Sequence, residues 1–211
     1  RKHKPSLVLL ENVKGLLGHD KGNTFRVITK NLDKLGYDVF YKVLNAKDFG
    51  VPQNRERIYI VCVNREKLGK KEFKFPNPKK KTTRLGDILE SNPDSKYTIS
   101  NKLWAGHRRR LREHKKKGNG FGYSLFDSES AYTSTISARY YKDGSEILVA
   151  QKGKNPRKLT PREAARLQGF PESFKITVSD NQAYKQFGNS VAVPVLKAIA
   201  KEMVKLLGDR N

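Results

Sequence analysis

Cysteine is almost missing from this sequence: Cys62 is the one thiol in 211 residues. A single thiol excludes an internal disulfide and a cysteine-rich zinc site. It lies in "RIYIVCVN", a β-branched run that reads as a buried strand, where a free cysteine behaves as a small inert hydrophobe. Long apolar runs are missing too. No stretch of about eighteen apolar residues and no basic-then-apolar leader occurs, so the expectation is a cytoplasmic protein without a membrane span. Acidic residues are scarce: 21 Asp and Glu stand against 44 Lys and Arg, a net charge of +23. A field of that size favours polyanions, with nucleic acid the first choice and an anionic membrane surface the lesser alternative.

What is present suffices for a core, since hydrophobic residues make up 36% of the chain. The opening third predicts an α/β arrangement. "SLVLLE" reads as a continuous apolar strand covered on both faces, ending at Glu11. "GNTFRVITKNLDKLG" places Phe25, Ile28, Leu32 and Leu35 at helical spacing, with Asn23 or Thr24 as N-cap and Gly36 as terminator. "YDVFYKVLNA" and "RIYIVCVN" supply two more strands. From about Phe73 the texture changes, and "KFPNPKKKTTRLGD" predicts a boundary.

Beyond the boundary a smaller, basic part is expected. "SNKLWAGHRRRLREHKKKG" predicts a helix capped by Ser100 or Asn101 and closed by Gly118, with Leu103, Trp104, His107 and Leu111 on one face. Glu113 stands against Arg108, Arg109, Arg110, Arg112, Lys115, Lys116 and Lys117, an excess that points to phosphate contacts. "GNGFGYSLF" interleaves Phe121, Tyr123 and Phe126 with glycines; it is no dinucleotide loop, because no phosphate-binding strand precedes it, and an exposed recognition loop fits better. "TSTISARYYKDGSEILVA" reads as a β-hairpin turning at Asp143-Gly144. "LTPREAARLQGFPESF" predicts a short helix with a capping box between Thr160 and Glu163, ended by Gly169. "QFGNSVAVPVLKAIAKEMVKLL" then reads as a turn and an amphipathic helix.

Four of these blocks, in order, resemble the second half of the DNA (cytosine-5)-methyltransferases of bacterial restriction-modification systems. "ENV" at Glu11 to Val13, "QNRER" at Gln53 to Arg57, "RKLTPREAARLQGFP" at Arg157 to Pro171 and "QFGNSV" at Gln186 to Val191 look like that family's sixth, eighth, ninth and tenth motifs. Each alone is weak; their order and spacing carry the resemblance. Between the eighth and ninth motifs, "GNGFGY" and "TISARYYKDGSEIL" look like the recognition domain of the Dcm/EcoRII group, which modifies CC(A/T)GG or related CCNGG sites.

The resemblance implies an α/β fold: the second half of a Rossmann-like S-adenosylmethionine-dependent methyltransferase domain plus a smaller, basic target recognition domain. The implied division is 1–75 for the catalytic part, 76–178 for recognition and 179–211 for a segment returning to the catalytic domain. In the family a thiolate adds to C6 of a cytosine rotated out of the duplex, which loads charge onto N3 and O2. The resemblance gives Glu11 to N3 and Arg57 to O2, with Arg55 alongside; both groups help most in the transition state. Arg55 and Arg57, two apart on an extended segment, share a side. It gives Asn189 and Ser190 to the methyl donor. Contacts to double-stranded DNA are expected from Arg108, Arg109, Arg110, Arg112, Lys115, Gly120, Tyr123, Thr135 and Arg139, and no metal site is implied. The implied location is the bacterial cytoplasm, at the nucleoid.

The family's glycine-rich cofactor loop and its Pro-Cys-Gln nucleophile motif are not in the sequence, and Cys62, which follows "QNRER", has the wrong neighbours to replace it. Activity is therefore expected to need a complementary N-terminal polypeptide carrying the first five motifs, whether the chain is a natural subunit or a truncated product. Two other readings stay open: a non-catalytic, sequence-specific DNA-binding module, and a fragment of an RNA-cytosine methyltransferase.

Overall fold

Three strands carry the first third of the chain. In this computed structural model, which describes residues 2–78, 82–120 and 122–208, β1 (Leu7–Val13), β2 (Tyr37–Asn45) and β3 (Glu56–Asn64) form one sheet. Phe121 and the linker residues Lys79, Lys80 and Lys81 lie outside the described residues. The strand order is β1-β3-β2, and β3 runs antiparallel to both neighbours. Successive residues of β3 point to opposite faces. Ile58, Ile60 and Cys62 pack with Phe25 and Leu32 of helix α1 (Asn23–Lys34) and with its C-cap Leu35, while Tyr59, Val61 and Val63 pack with Val195 and Ile199 of the final helix. The result is a three-layer arrangement with every β3 side chain from Ile58 to Val63 no more than 2% exposed.

Two local expectations change. β1 is covered on both faces only over its first half, where Leu7 and Leu9 pack towards the final helix and Val8 towards α1, and it does not stop at Glu11; it runs to Val13 and leaves Leu10 and Val13 37% and 52% exposed. Helix α1 has neither Asn23 nor Thr24 as its cap. Gly22 takes that position at φ 83°, and the Thr24 hydroxyl bonds instead to His19 Nδ1 at 2.7 Å. Gly36 ends the helix as expected, at φ 89°.

After a single turn, α2 (Arg65–Leu68), the chain enters its second part. Helix α3 (Asn101–Lys116) is capped by the Ser100 hydroxyl, which accepts from Leu103 N at 3.2 Å. Glycine-loop residues lead to β4 (Leu125–Phe126), which pairs in parallel with β5 (Leu148–Val149). The expected hairpin is absent. Thr133 bridges to Gln53, residues after Ala138 form turns, and the Tyr140 hydroxyl donates to Ile147 O at 2.7 Å where cross-strand bonds would have been. The Asp-Gly turn signal is real, but a buried tyrosine and the attachment to Gln53 outweigh strand pairing.

Helix α4 (Pro161–Leu167) has the full capping box between Thr160 and Glu163. Glu163 also holds Arg157 bidentately at 2.7 and 2.8 Å and accepts from Glu90 N at 2.8 Å. With the pair 5% and 0% exposed, removing one partner would cost about 3–5 kcal/mol. The "QFGN" segment is no turn: it closes helix α5 (Asp180–Asn189), which precedes α6 (Val193–Leu206). Ala183, Tyr184 and Phe187 of α5 share the core of the second part, whereas Ala192, Val195 and Ile199 share the core of the sheet. The chain passes from the one core to the other at Ser190–Ala192.

Candidate active site and nucleic-acid interface

Glu11 and Arg57 meet because of strand register. Glu11 lies opposite Tyr59 and Arg57 opposite Val13, so the two are diagonal neighbours on the same face of an antiparallel pair. Arg57 Nε stands 3.2 Å from Glu11 Oε1, with the side chains 15% and 24% exposed. The row that begins with Leu7 and Leu9 under α6 thus ends in an ion pair that a ligand can still reach. Arg57 Nη1 is steadied by its neighbour's carbonyl, Glu56 O, at 2.8 Å. Tyr59, buried beside the pair, has its hydroxyl pushed up to about 12 by burial first and by the Glu11 charge second.

Arg55 lies on the same side, yet it is 3% exposed. Its Nη1 donates to Ile136 O at 3.2 Å, and its Nη2 to Gly188 O at 3.3 Å and Ser190 O at 2.7 Å; its Nε is buried without an acceptor among the described residues. Burial, then the neighbouring Arg57 charge, bring its guanidinium down to about 10. This arginine therefore ties three segments together, and both Nη groups are already committed to carbonyls.

Gln53, which opens "QNRER", proves to be the centre of this junction. Fully buried, it donates through Nε2 to Leu167 O at 3.1 Å and Gln168 Oε1 at 3.2 Å, and its Oε1 accepts from Ile136 N at 3.1 Å. Gln168 passes the chain of bonds on to Phe187 O at 2.6 Å. No local signal marks Gln53 as buried, because its partners lie more than eighty residues away in sequence. Gly188 completes the contact: a Cβ there would sit 2.3 Å from the Ser137 carbonyl carbon. Helix α5 left a signal that went unread, with Ala183, Tyr184 and Phe187 at helical spacing after Ser179-Asp180.

The two residues assigned to the methyl donor sit at this junction. Asn189 is exposed, and its carboxamide has no hydrogen-bond partner among the described residues, so it is open to a polar ligand. Ser190 spends its hydroxyl on Phe187 O at 2.8 Å and its carbonyl on Arg55. The Asn189 carboxamide is thus uncommitted among the described residues, while the Ser190 side chain is engaged internally.

The residues assigned to DNA separate into two sets. On α3, Arg108, Arg109, Arg112 and Lys115 are exposed. Arg108 lies over the Trp104 ring at 5.5 Å, and Arg109 reaches Glu113 at 3.7 Å. Arg110 is exposed as well but is paired with Asp143 at 3.0 Å, beside the buried His107 whose Nε2 meets Asp143 O at 3.3 Å. Gly120, Tyr123 and Thr135 meet elsewhere, around a cavity of about 260 Å³ also lined by Gly122, Ser124, Ser134, Ser145 and Glu146. Tyr123 packs edge-on against Trp104 at 4.8 Å, and the Thr135 hydroxyl donates to Asn54 O at 2.7 Å. Arg139 is exposed beyond them.

Residues 1–205, nearly the entire chain, match the family described as C-5 cytosine-specific DNA methylase. The chain belongs to that family. It is 63% identical to the type II methyltransferase M.SsoII of Shigella sonnei over 208 residues, covering 98% of this chain and 55% of the relative. It is 63% identical to M.NlaX of Neisseria lactamica over 200 residues, covering 95% and 63%. A DNA-cytosine methyltransferase of Escherichia coli K12 is 41% identical over 234 residues, covering 94% and 49%. The chain thus spans roughly half to three-fifths of the length of these curated relatives. Among solved structures, the S. pombe Dnmt2 methyltransferase matches with a TM-score of 0.76 at 21% identity, covering 96% of this chain and 67% of that one. The Entamoeba histolytica methyltransferase EhMeth matches at 0.73 and 21%, covering 98% and 64%. This C-5 cytosine methylase chain therefore has the fold of S-adenosylmethionine-dependent methyltransferases, with the antiparallel β3 at its centre. Among its described residues no helix is long and apolar enough to cross a membrane.

Proposed function

We propose that this chain forms part of a DNA (cytosine-5)-methyltransferase and supplies two things: the grip on a flipped cytosine and the surface that selects its site. One observation carries the reading. Glu11 and Arg57, from different strands, form a half-shielded acid–guanidinium pair on the face that leads to the Gln53–Arg55 junction. A carboxyl group serves N3 of a pyrimidine by hydrogen bonding, and a permanently charged fork serves O2, so together they match one edge of the ring. Their value rises as charge builds on that edge, which is the condition for lowering a barrier rather than merely binding. A low-dielectric setting strengthens both contacts, and the pair's modest exposure supplies it. When bound, S-adenosylmethionine supplies the methyl group; Asn189 would hold one polar edge of it.

Duplex DNA is the proposed substrate. Arg108, Arg109, Arg112 and Lys115 supply phosphate contacts, and the cavity between the glycine loop and Thr135 faces base edges. Arg139 adds a further cation beside it. The likeness of "GNGFGY" and "TISARYYKDGSEIL" to the Dcm/EcoRII group supports a CCNGG or CC(A/T)GG site. A purely DNA-binding module would have no use for the Glu11–Arg57 pair.

A complementary polypeptide with the cofactor loop and the nucleophile is the proposed partner. Among the described residues β1 pairs only with β3, so its other edge offers free backbone donors and acceptors next to Glu11. Methyl transfer from labelled donor to CCNGG duplexes tests the reading, with the chain alone and with that polypeptide added. Activity is expected in the mixture only. In the mixture, Glu11→Gln should lower turnover far more than DNA affinity; equal losses in both would remove Glu11 from the reaction.

A further inference from the structure

The recognition part is strongly cationic, and its carboxylates are mostly spoken for. Glu113, Asp143 and Glu163 each hold an arginine. Glu146 holds none. Among the described residues no cation lies within ion-pair distance of it, and its single hydrogen bond is accepted by Oε1 from the Ser137 hydroxyl. Half-buried, it lines the cavity of about 260 Å³ beside Gly120, Gly122, Tyr123, Ser124, Ser134, Thr135 and Ser145. A carboxylate on a surface that receives a polyanion is repelled by every nearby phosphate. Such a group is tolerable there only if it accepts a hydrogen bond from the ligand.

The setting is rigid. Ser124 N donates to Ser145 O and Leu148 N to Ser124 O, both at 2.9 Å, which locks the glycine loop to the Glu146 segment. The Ser137 backbone rests on Gly188 so closely that no side chain fits between, and Ile136 is held by Gln53. The Glu146 carboxylate is therefore fixed in place before any ligand arrives, with its second oxygen free of hydrogen bonds among the described residues.

The major-groove edges of the bases decide what such an acceptor suits. Guanine and thymine show acceptors there, and adenine shows its amino donor next to an acceptor nitrogen that would repel a carboxylate. Cytosine alone shows a donor, the N4 amino group, with no acceptor beside it. We infer that Glu146 is a specificity-determining residue that reads the N4 amino group of a cytosine in the bound duplex. The inference rests on the duplex-DNA reading given above and adds to it one named residue and one named base.

The test is selection of duplexes from a random-sequence pool by the wild-type chain and by Glu146→Ala, Glu146→Gln and Ser137→Ala, each checked for an unchanged melting curve. The wild-type chain should enrich a site with cytosine at a fixed position. Glu146→Ala should become indifferent at that position, with discrimination falling roughly five- to a hundredfold, while the other positions keep theirs. Its binding to unselected DNA should stay the same or tighten, because a negative charge has gone. Glu146→Gln should move the preference towards adenine, whose donor and acceptor match an amide. Ser137→Ala should weaken the same position less and no other. Variants of Glu146 that select the wild-type site unchanged, or that lose all sequences equally, overturn the inference. A wild-type chain that enriches no sequence overturns the duplex-reading proposal beneath it.

Discussion

Replacing Gln53 by leucine should unfold the junction between the sheet and the second part of the chain more than its single side chain suggests. The substitution keeps the volume close and leaves a buried site with no hydrogen-bonding groups of its own. Ile136 N then loses its one acceptor, 3.1 Å away, and Leu167 O and Gln168 Oε1 lose their donor at 3.1 and 3.2 Å. A buried donor or acceptor left unpaired costs about 1–3 kcal/mol, so three such groups cost about 3–6 kcal/mol once the leucine has recovered some apolar contact. For a chain of 211 residues each kcal/mol moves Tm by about 2–4 °C, which places the expected fall at about 6–24 °C by circular dichroism melting. Gln53→Glu is the informative companion. It keeps an acceptor for Ile136 N but gives up the Nε2 donor and buries a charge, so its loss should equal or exceed that of leucine. A fall below about 1 °C for leucine would show that Ile136 and Gln168 find other partners, and the assignment of Gln53 as the hub would be wrong.

Other perturbations have equally definite outcomes. Gly188→Ala places a methyl group against the Ser137 carbonyl at 2.3 Å and should abolish cooperative folding or lower Tm by more than the Gln53 change; a neutral result would mean that α5 does not contact Ser137 in solution. Arg112→Ala should lower the slope of log K against log salt for duplex binding by about 0.9, and Arg110→Ala should change that slope less and stability more, since Asp143 already neutralises Arg110. The reverse order would relocate the phosphate track on α3. Burial holds His107 below its ordinary value, so the folded chain keeps it neutral while the unfolded chain takes up a proton. Its contribution is complete above the unfolded value of about 6.5 and is lost as pH falls through the window beneath it. Melting between pH 8 and pH 5 should show that loss in the wild type and a flatter profile in His107→Gln; parallel profiles would place the titration elsewhere.

Cys62 illustrates how far local reading reaches. A cysteine inside a β-branched run was expected to be inert, and it lies at 0% exposure in the central strand with its thiol pushed up to about 11 by burial. The capping box at Thr160–Glu163, the Ser100 cap and the glycine terminators were equally legible, because each depends on residues within a few positions of one another. The hairpin expectation failed at the opposite limit. "ARYYKDGSEIL" carries a valid turn signal, yet the Tyr140 hydroxyl, Gln53 and Gly188 decide its path from distant parts of the chain.

By itself the sequence determined the three strands of the sheet, helices α1, α4 and α6, the position of the basic helix, the inert thiol and the order of motifs that mark the family. These follow from periodicity, capping and charge, which act over a few residues. Tertiary structure alone decided that β3 lies antiparallel between β1 and β2, that Glu11 and Arg57 meet, and that Gln53 and Arg55 are buried while Asn189 is exposed. A buried polar group needs partners, and those of Gln53 and Arg55 are brought within reach only when segments more than eighty residues apart have docked.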